Sequence, residues 1–132
     1  VAKQVNDHEF AAVSALDGPA RYSHFIGQIA DWKEVWSLKS ANGWILAGAM
    51  GGQVLIPVWP HERYAAACAI GEWSGATAHA IPLHDWMEKW LPGITRDHRG
   101  VAVFPSPNDA GIIVSTGRLA DDLTAELEKY GD

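Results

Sequence analysis

The chain has little cysteine: Cys68 stands alone, so no intrachain disulfide can form. It sits in the alanine-rich stretch 65–69 with no Lys or Arg beside it, and a small buried hydrophobe is expected there rather than a reactive thiol. Cations are also few. The 10 Lys and Arg against 16 Asp and Glu give a formal net charge of −6. Nucleic-acid binding draws on clustered positive charge, and the densest basic stretch, residues 96–99, is interrupted by Asp97, so a nucleic-acid partner is not expected. One apolar run, residues 43–60, approaches a membrane span, but it carries Gly48, Gly51, Gly52, Pro57 and Pro60. It reads instead as strands joined at Met50, Gly51 and Gly52. Lys3, Asp7 and Glu9 leave no apolar core for a signal peptide. The resulting expectations are no membrane association and a cytoplasmic location.

Catalytic signatures are missing too. There is no G-x-S-x-G elbow, no H-E-x-x-H and no phosphate-cradling glycine loop. His79 and His84 have a spacing found in half of some zinc sites, but no C-x-x-C accompanies them, so neither a metal nor a cofactor is expected. His84 and Asp85 are neighbours on a helical pattern and do not face each other. Thr116-Gly117-Arg118 reads as a capped helix start before it reads as a phosphate site. No catalytic residue is assigned, and an enzyme is the less expected class.

What the chain has in quantity is tryptophan, with seven indoles in 132 residues. It also has a unit that occurs three times, at residues 54–70, 78–91 and 112–130. In each, an extended apolar run meets a helix-starting turn and a helix with one apolar face. Upstream, Asn6 and Glu9 make a capping-box start, and Asp17-Gly18 ends that first helix. Pro19 suits the first turn of a second helix, whose Tyr22, Phe25, Ile26 and Ile29 fall at helical spacing. From Trp32 to Lys39 the period shortens to that of a strand, with Trp36 and Leu38 on one face. Asn42-Gly43 predicts a hairpin turn, and residues 44–47 and 54–58 complete a three-stranded antiparallel meander. Pro57 implies an edge, a bulge or a strand end.

Pro60 opens a third helix, and Gly71 stops it. A strand over 78–81 leads to a fourth helix carrying Trp86, Met87, Trp90 and Leu91, terminated by Pro92-Gly93, after which 94–100 is a polar loop. Residues 101–104 and 112–114 form a second hairpin. Ser115 or Thr116 caps a last helix with Leu119, Leu123 and Leu127 on one face, and Gly131 suits its C-cap. The prediction is one α+β domain over residues 1–132, frayed over 1–5, in the order α-α-β-β-β-α-β-α-β-β-α. Its sheet is mainly antiparallel, meander plus hairpin, with helices packed on it. A strand–helix–strand step through helix three offers one parallel pairing.

The candidate binding residues lie where a strand meets helix three. Exposed N–H groups at that turn favour anions, His61 and Arg63 would add contacts beside Glu62, and Trp59 would offer a stacking face. On the competing reading, Trp59 and Tyr64 anchor the core, and His61, Glu62 and Arg63 are a solvated first turn. Trp73, in a polar glycine-flanked loop, is a candidate interface anchor.

Trp36, Gly43-Trp44 and above all Ile56-Pro57-Val58-Trp59-Pro60-His61-Glu62-Arg63-Tyr64-Ala65 are similar to a bacterial family known as domain of unknown function 2750. Gly71-Glu72-Trp73, Ile81-Pro82-Leu83, Trp90-Leu91-Pro92-Gly93, Arg21-Tyr22 and Phe25 extend the likeness over about residues 10–130. The resemblance implies a small soluble bacterial α+β protein and supplies no activity or catalytic residue. With no reactive signature and an acidic surface, the expected function is a non-enzymatic protein-interaction or regulatory module with a protein partner. Such a module calls for an exposed apolar patch near Trp73 or on a sheet face. The alternative is a small-molecule or anion binder, or an enzyme, with its site around Trp59, His61 and Arg63. A homo-oligomer is compatible with the sequence but not indicated by it.

Overall fold

The computed structural model describes residues 4–48, 52–107 and 109–129. Two capped helices come first. Asn6 Oδ1 accepts from Glu9 N at 2.8 Å to start α1 (Asp7–Ser14), and Asp17 Oδ1 accepts from Ala20 N at 2.9 Å to start α2 (Gly18–Trp32). The stripe Tyr22, Phe25, Ile26 and Ile29 is buried, as its spacing requires. Lys33, at φ 61°, turns the chain out of α2. Val5 lies within the segment expected to fray, yet it is buried and its carbonyl accepts from Arg63.

The expected second hairpin forms, and the expected meander is divided between two sheets. One has the order β2-β1-β5 and the other β3-β4-β6-β7. In the first, β1 (Glu34–Ser40) pairs antiparallel with β2 (Gly43–Trp44) and with β5 (Thr77–Pro82). Ser40 sits opposite Gly43, so Ala41 and Asn42 form the hairpin loop, one residue before the expected turn. In the second, β3 (Ala47–Gly48) pairs with β4 (Val54–Val58), and β6 (Gly100–Val103) pairs with β7 (Ile112–Val114), both antiparallel. The parallel pairing lies between β4 and β6, not across helix three, because β5 goes antiparallel to β1. The expected joint at Met50, Gly51 and Gly52 falls largely outside the described residues, as does Gly131.

Pro57 limits how far β4 can pair with β1. Trp36 and Trp59 exchange both backbone hydrogen bonds, at 2.9 and 2.8 Å, and form an isolated bridge between β1 and the end of β4. The next antiparallel step would need an N–H from Pro57, which has none. The Leu38 carbonyl takes the Ile45 N–H instead, at 2.9 Å, and Ser37 Oγ donates to the Pro57 carbonyl at 2.7 Å. The ladder stops there, and β4 turns to β6. Ser37 is therefore fully buried beside Val35 and Leu38, while Trp36 is half-buried, so both faces of mid-β1 are covered rather than the Trp36–Leu38 face alone.

Helix three, α3 (Glu62–Ala67), packs on β1 and β5, and a 3-10 turn (Gly71–Trp73) follows it. After β5 the chain stays helical through α4 (Leu83–Asp85), a π turn (Trp86–Trp90) and α5 (Leu91–Arg96). Pro92 does not end this helix. The widened turn sends Leu91 N–H to the Trp86 carbonyl and places Pro92 in the first turn of α5, where its missing N–H costs least. Ile94, expected in a polar loop, is consequently buried. α6 (Thr116–Glu128) is capped by Ser115 Oγ, which accepts from Arg118 N at 3.2 Å.

Strand alternation sorts the second sheet into two faces. By register, Ile56, Val58, Val101, Val103 and Val114 share one face, and all are buried. A Cβ built on Gly18 would lie 3.6 Å from Ile112 Cγ1, which sets the start of α2 against this face. α6 packs on α2 and α5, closing the core around Phe25, Ile29, Leu119 and Leu123. Leu55, Pro57, Ala102 and Ile113 share the opposite face.

Candidate functional site

The strand-to-helix turn is bound up in packing. Trp59 is fully buried, its Nε1 donates to the Pro105 carbonyl at 2.8 Å, and it offers no stacking face. His61 caps α3, its Nδ1 accepting from Arg63 N at 3.1 Å. Arg63 clamps the N-terminal segment. Its Nη1 donates to the Val5 carbonyl at 2.9 Å, its Nη2 pairs with Asp7, and its guanidinium lies 4.5 Å from the Phe10 ring centroid. Glu62 is exposed. Tyr64 stacks on Phe10 at 5.4 Å and is buried, which pushes its phenol up to about 12, with Glu9 adding to the effect. Cys68 is also buried; its Sγ donates to the Pro105 carbonyl at 3.3 Å, and desolvation pushes the thiol up to about 11. A thiol so placed is not a nucleophile at neutral pH.

Trp73 links this turn to a different region. Its indole meets Trp59 edge-on at 6.2 Å, and its half-buried remainder lines a hollow of about 720 Å³ over the second face of the four-stranded sheet. The hollow's floor includes Leu55 and Ala47, and its far wall is the 105–110 loop. Leu46, Ile70 and Ile113 stand around it at 44%, 57% and 49% exposure. Among the described residues these are three of the four large hydrophobics that face solvent, Trp32 being the other. Glu72 and Asp109 sit at the rim, and none of the described lining residues is Lys or Arg.

The loop wall is held by short-range bonds. Ser106 and Asp109 exchange backbone hydrogen bonds at 2.9 and 3.1 Å, and Asp109 Oδ1 accepts from Gly111 N at 2.7 Å. That N–H holds the Asp109 carboxyl below the usual carboxylate range, aided by Arg21 at 3.2 Å and opposed by partial burial. Gly111 is required there: at φ 86° a Cβ would fall 2.7 Å from the Val103 carbonyl oxygen.

Of the residues singled out from sequence, Trp59 and Trp73 touch each other, whereas His61, Glu62 and Arg63 belong to the α3 start. The hollow's Leu46, Ile70 and Ile113 were missed. Leu46 and Ile70 stand outside any clean alternation, and only Ile113, out of phase with Ile112 and Val114, carried a usable alternation signal. Among the described residues no three of His, Cys, Asp and Glu gather as a metal would need, and no helix is long and apolar enough to cross a membrane. Thr116 Oγ1 bonds Thr95 Oγ1 at 2.5 Å, and Arg118 lies over the Tyr22 ring, so the start of α6 is tied to its neighbours.

The fold is thus α+β, with an apolar hollow beside Trp73 and, among the described residues, no cluster of reactive groups around it. The chain belongs to the family described as protein of unknown function (DUF2750), whose model matches residues 22–123. No curated protein matches the sequence.

Proposed function

We propose that this protein is a non-enzymatic interaction module whose hollow at Trp73 receives a partner segment presenting an apolar side chain flanked by Lys or Arg. The observation that carries the reading is the convergence of Leu46, Ile70 and Ile113, all solvent-facing, on one concavity. Exposed apolar side chains scattered singly need no explanation, but gathered around a hollow they mark an interaction site. Trp73, braced edge-on by Trp59, is a pre-organised anchor, and an indole so held gives up little freedom on binding. Charge selects the partner: the rim carries Glu72 beside Asp109, which is itself paired with Arg21, no described lining residue is a cation, and the whole chain is at −6. The reading places the module in the cytoplasm, where a single thiol stays reduced.

The test is an array of 12-residue peptides, matched in apolar content and flanked either by Lys and Arg or by Asp and Glu. The expected result is capture of the basic set, weakened by salt and reduced at least about tenfold by Ile70→Glu. Arg63→Ala, outside the hollow, leaves capture unchanged. Equal capture of both sets, or indifference to Ile70→Glu, overturns the reading. So does a dimeric solution mass that Ile70→Glu converts to monomer, because the hollow would then belong to a second copy.

A further inference from the structure

We propose that a second hollow, at the end of the closed face of the four-stranded sheet, binds a free α-amino acid with a large apolar side chain. It measures about 460 Å³, within the roughly 300–1,000 Å³ of small-ligand sites. Two half-buried indoles, Trp44 and Trp90, line it together with two opposite charges, Arg99 and Asp97. The π turn Trp86–Trp90 delivers Trp90 to the hollow, and such widened turns are rare and recur at functional sites. Trp90 meets Trp44 edge-on at 4.8 Å, and the fully buried Trp86 stacks on Trp90 at 5.7 Å. Lys39 lies 5.2 Å from the Trp44 ring centroid. Both lining rings are thus braced before a ligand arrives.

Charge defines the head of the molecule. Arg99, two residues before Val101, lies toward the sheet face that carries Ile56, and both line the hollow. A helix-ending turn fixes its place. His98 N–H reaches the Thr95 carbonyl and Arg99 N–H the Ile94 carbonyl, each at 3.0 Å, around His98 at φ 57°. Asp97 and Arg99 therefore flank a single residue on a hydrogen-bonded bend. Their side chains form no ion pair or hydrogen bond among the described residues, so the two charges do not satisfy each other. Lys89, also in the lining, is engaged by Asp85 at 3.7 Å. A guanidinium in the wall of a hollow, free of any carboxylate of its own chain, is a ready bidentate site for one. Asp97 would repel a plain anion but attracts the ammonium group of a zwitterion. With its carboxylate on Arg99 and its ammonium on Asp97, an amino acid lays its side chain against Trp44 and Trp90, where a ring packs favourably by edge or offset face.

The experiment titrates the ¹⁵N-labelled full chain with L-phenylalanine, following the indole Nε1–H resonances of Trp44 and Trp90. Three analogues serve as controls: 2-phenylethylamine lacks the carboxylate, 3-phenylpropionate lacks the ammonium group and L-alanine lacks the ring. Saturable movement of both resonances is expected with phenylalanine, with Kd below about 1 mM and each analogue at least about tenfold weaker. Arg99→Gln weakens phenylalanine about tenfold and leaves 2-phenylethylamine unchanged, because that analogue has no carboxylate to lose. Asp97→Asn weakens phenylalanine and leaves 3-phenylpropionate no weaker. A merely structural role for either residue would lower all ligands alike. Should Arg99→Gln not fold, the exposed Asp97 decides through Asp97→Asn. Ile70→Glu leaves phenylalanine binding intact, since Ile70 lines only the hollow at Trp73. Absence of saturation, equal affinity for any of the three analogues, or undiminished phenylalanine binding by Arg99→Gln or Asp97→Asn overturns the proposal.

Discussion

The four-stranded sheet has two faces made by the same strands and used in opposite ways. Ile56, Val58, Val101, Val103 and Val114 point to one side, where α2 and α6 complete the core and hardly any surface remains exposed. Leu55, Pro57, Ala102 and Ile113 point to the other, where cover comes from a 3-10 turn and the 105–110 loop, and a hollow of about 720 Å³ remains. The first set is entirely β-branched and fills space. The second mixes a ring, a methyl and two longer chains, and helices do not close it. Stability is concentrated on one face, and room for a partner is left on the other.

The largest effect that would break this contrast comes from truncation on either side. Leu119→Ala, on the closed side, is expected to cost about 2–5 kcal/mol, because Leu119 is fully buried and leaves a cavity. Ile113→Ala, on the open side, is expected to stay within about 0.5 kcal/mol. Urea midpoints at constant m-value measure both, and equal losses would erase the distinction. A second, smaller effect concerns the α3 turn. Arg63→Ala is expected to lower stability by about 1 kcal/mol, discounted because the guanidinium and especially Asp7 are partly open to water. It should loosen Val5 and Phe10, visible as faster amide exchange in α1. A neutral result would return Arg63 to the solvated role.

Titration sharpens the comparison further. The Asp109 carboxyl is held low by Gly111 N–H and Arg21, so its contribution to stability is complete above the unfolded carboxylate pKa near about 4. It is lost as pH falls through the depressed native value. Asp109→Asn should therefore lower the neutral plateau toward its acid value and so flatten the acid limb of the stability profile, with little change at low pH; an acid limb identical to wild type would show that the loop wall owes nothing to this charge. The smallest effect is chemical. Cys68, pushed up to about 11 by burial, should resist a thiol reagent at pH 8 in the native protein and react at once in denaturant. Rapid native labelling would mean that the packing over Cys68 opens.

Much of the helical framework was legible in the chain. Asn6 and Ser115 act as the expected caps, Asp17, read as the end of the first helix, instead caps the second, and the Tyr22–Phe25–Ile26–Ile29 stripe is buried. The strand-then-helix unit recurs at β4–α3, β5–α4 and β7–α6. Asp85 and Lys89, four residues apart in sequence, pair at 3.7 Å. His61 as a cap was harder to see, because imidazole is not among the usual capping side chains. Pro92 misled because a proline ends a regular helix but is accommodated beyond a π turn. The candidate site was legible only at Trp73. Its companions Leu46 and Ile70 lie far apart in sequence, and each resembles an ordinary core residue.

Local rules therefore determined the elements: backbone capping, side-chain period and the conformations of proline and glycine act over a few residues, and they wrote the order of helices and strands into the sequence. Tertiary structure decided which strands became neighbours, because β-pairing depends on where distant N–H and C=O groups meet. One missing N–H at Pro57, answered by Ser37 and bypassed by Ile45, holds β4 to a single bridge with β1 while β4 pairs along its other edge with β6. The hollows followed from that choice, since a cavity exists only once chains remote in sequence have closed around it.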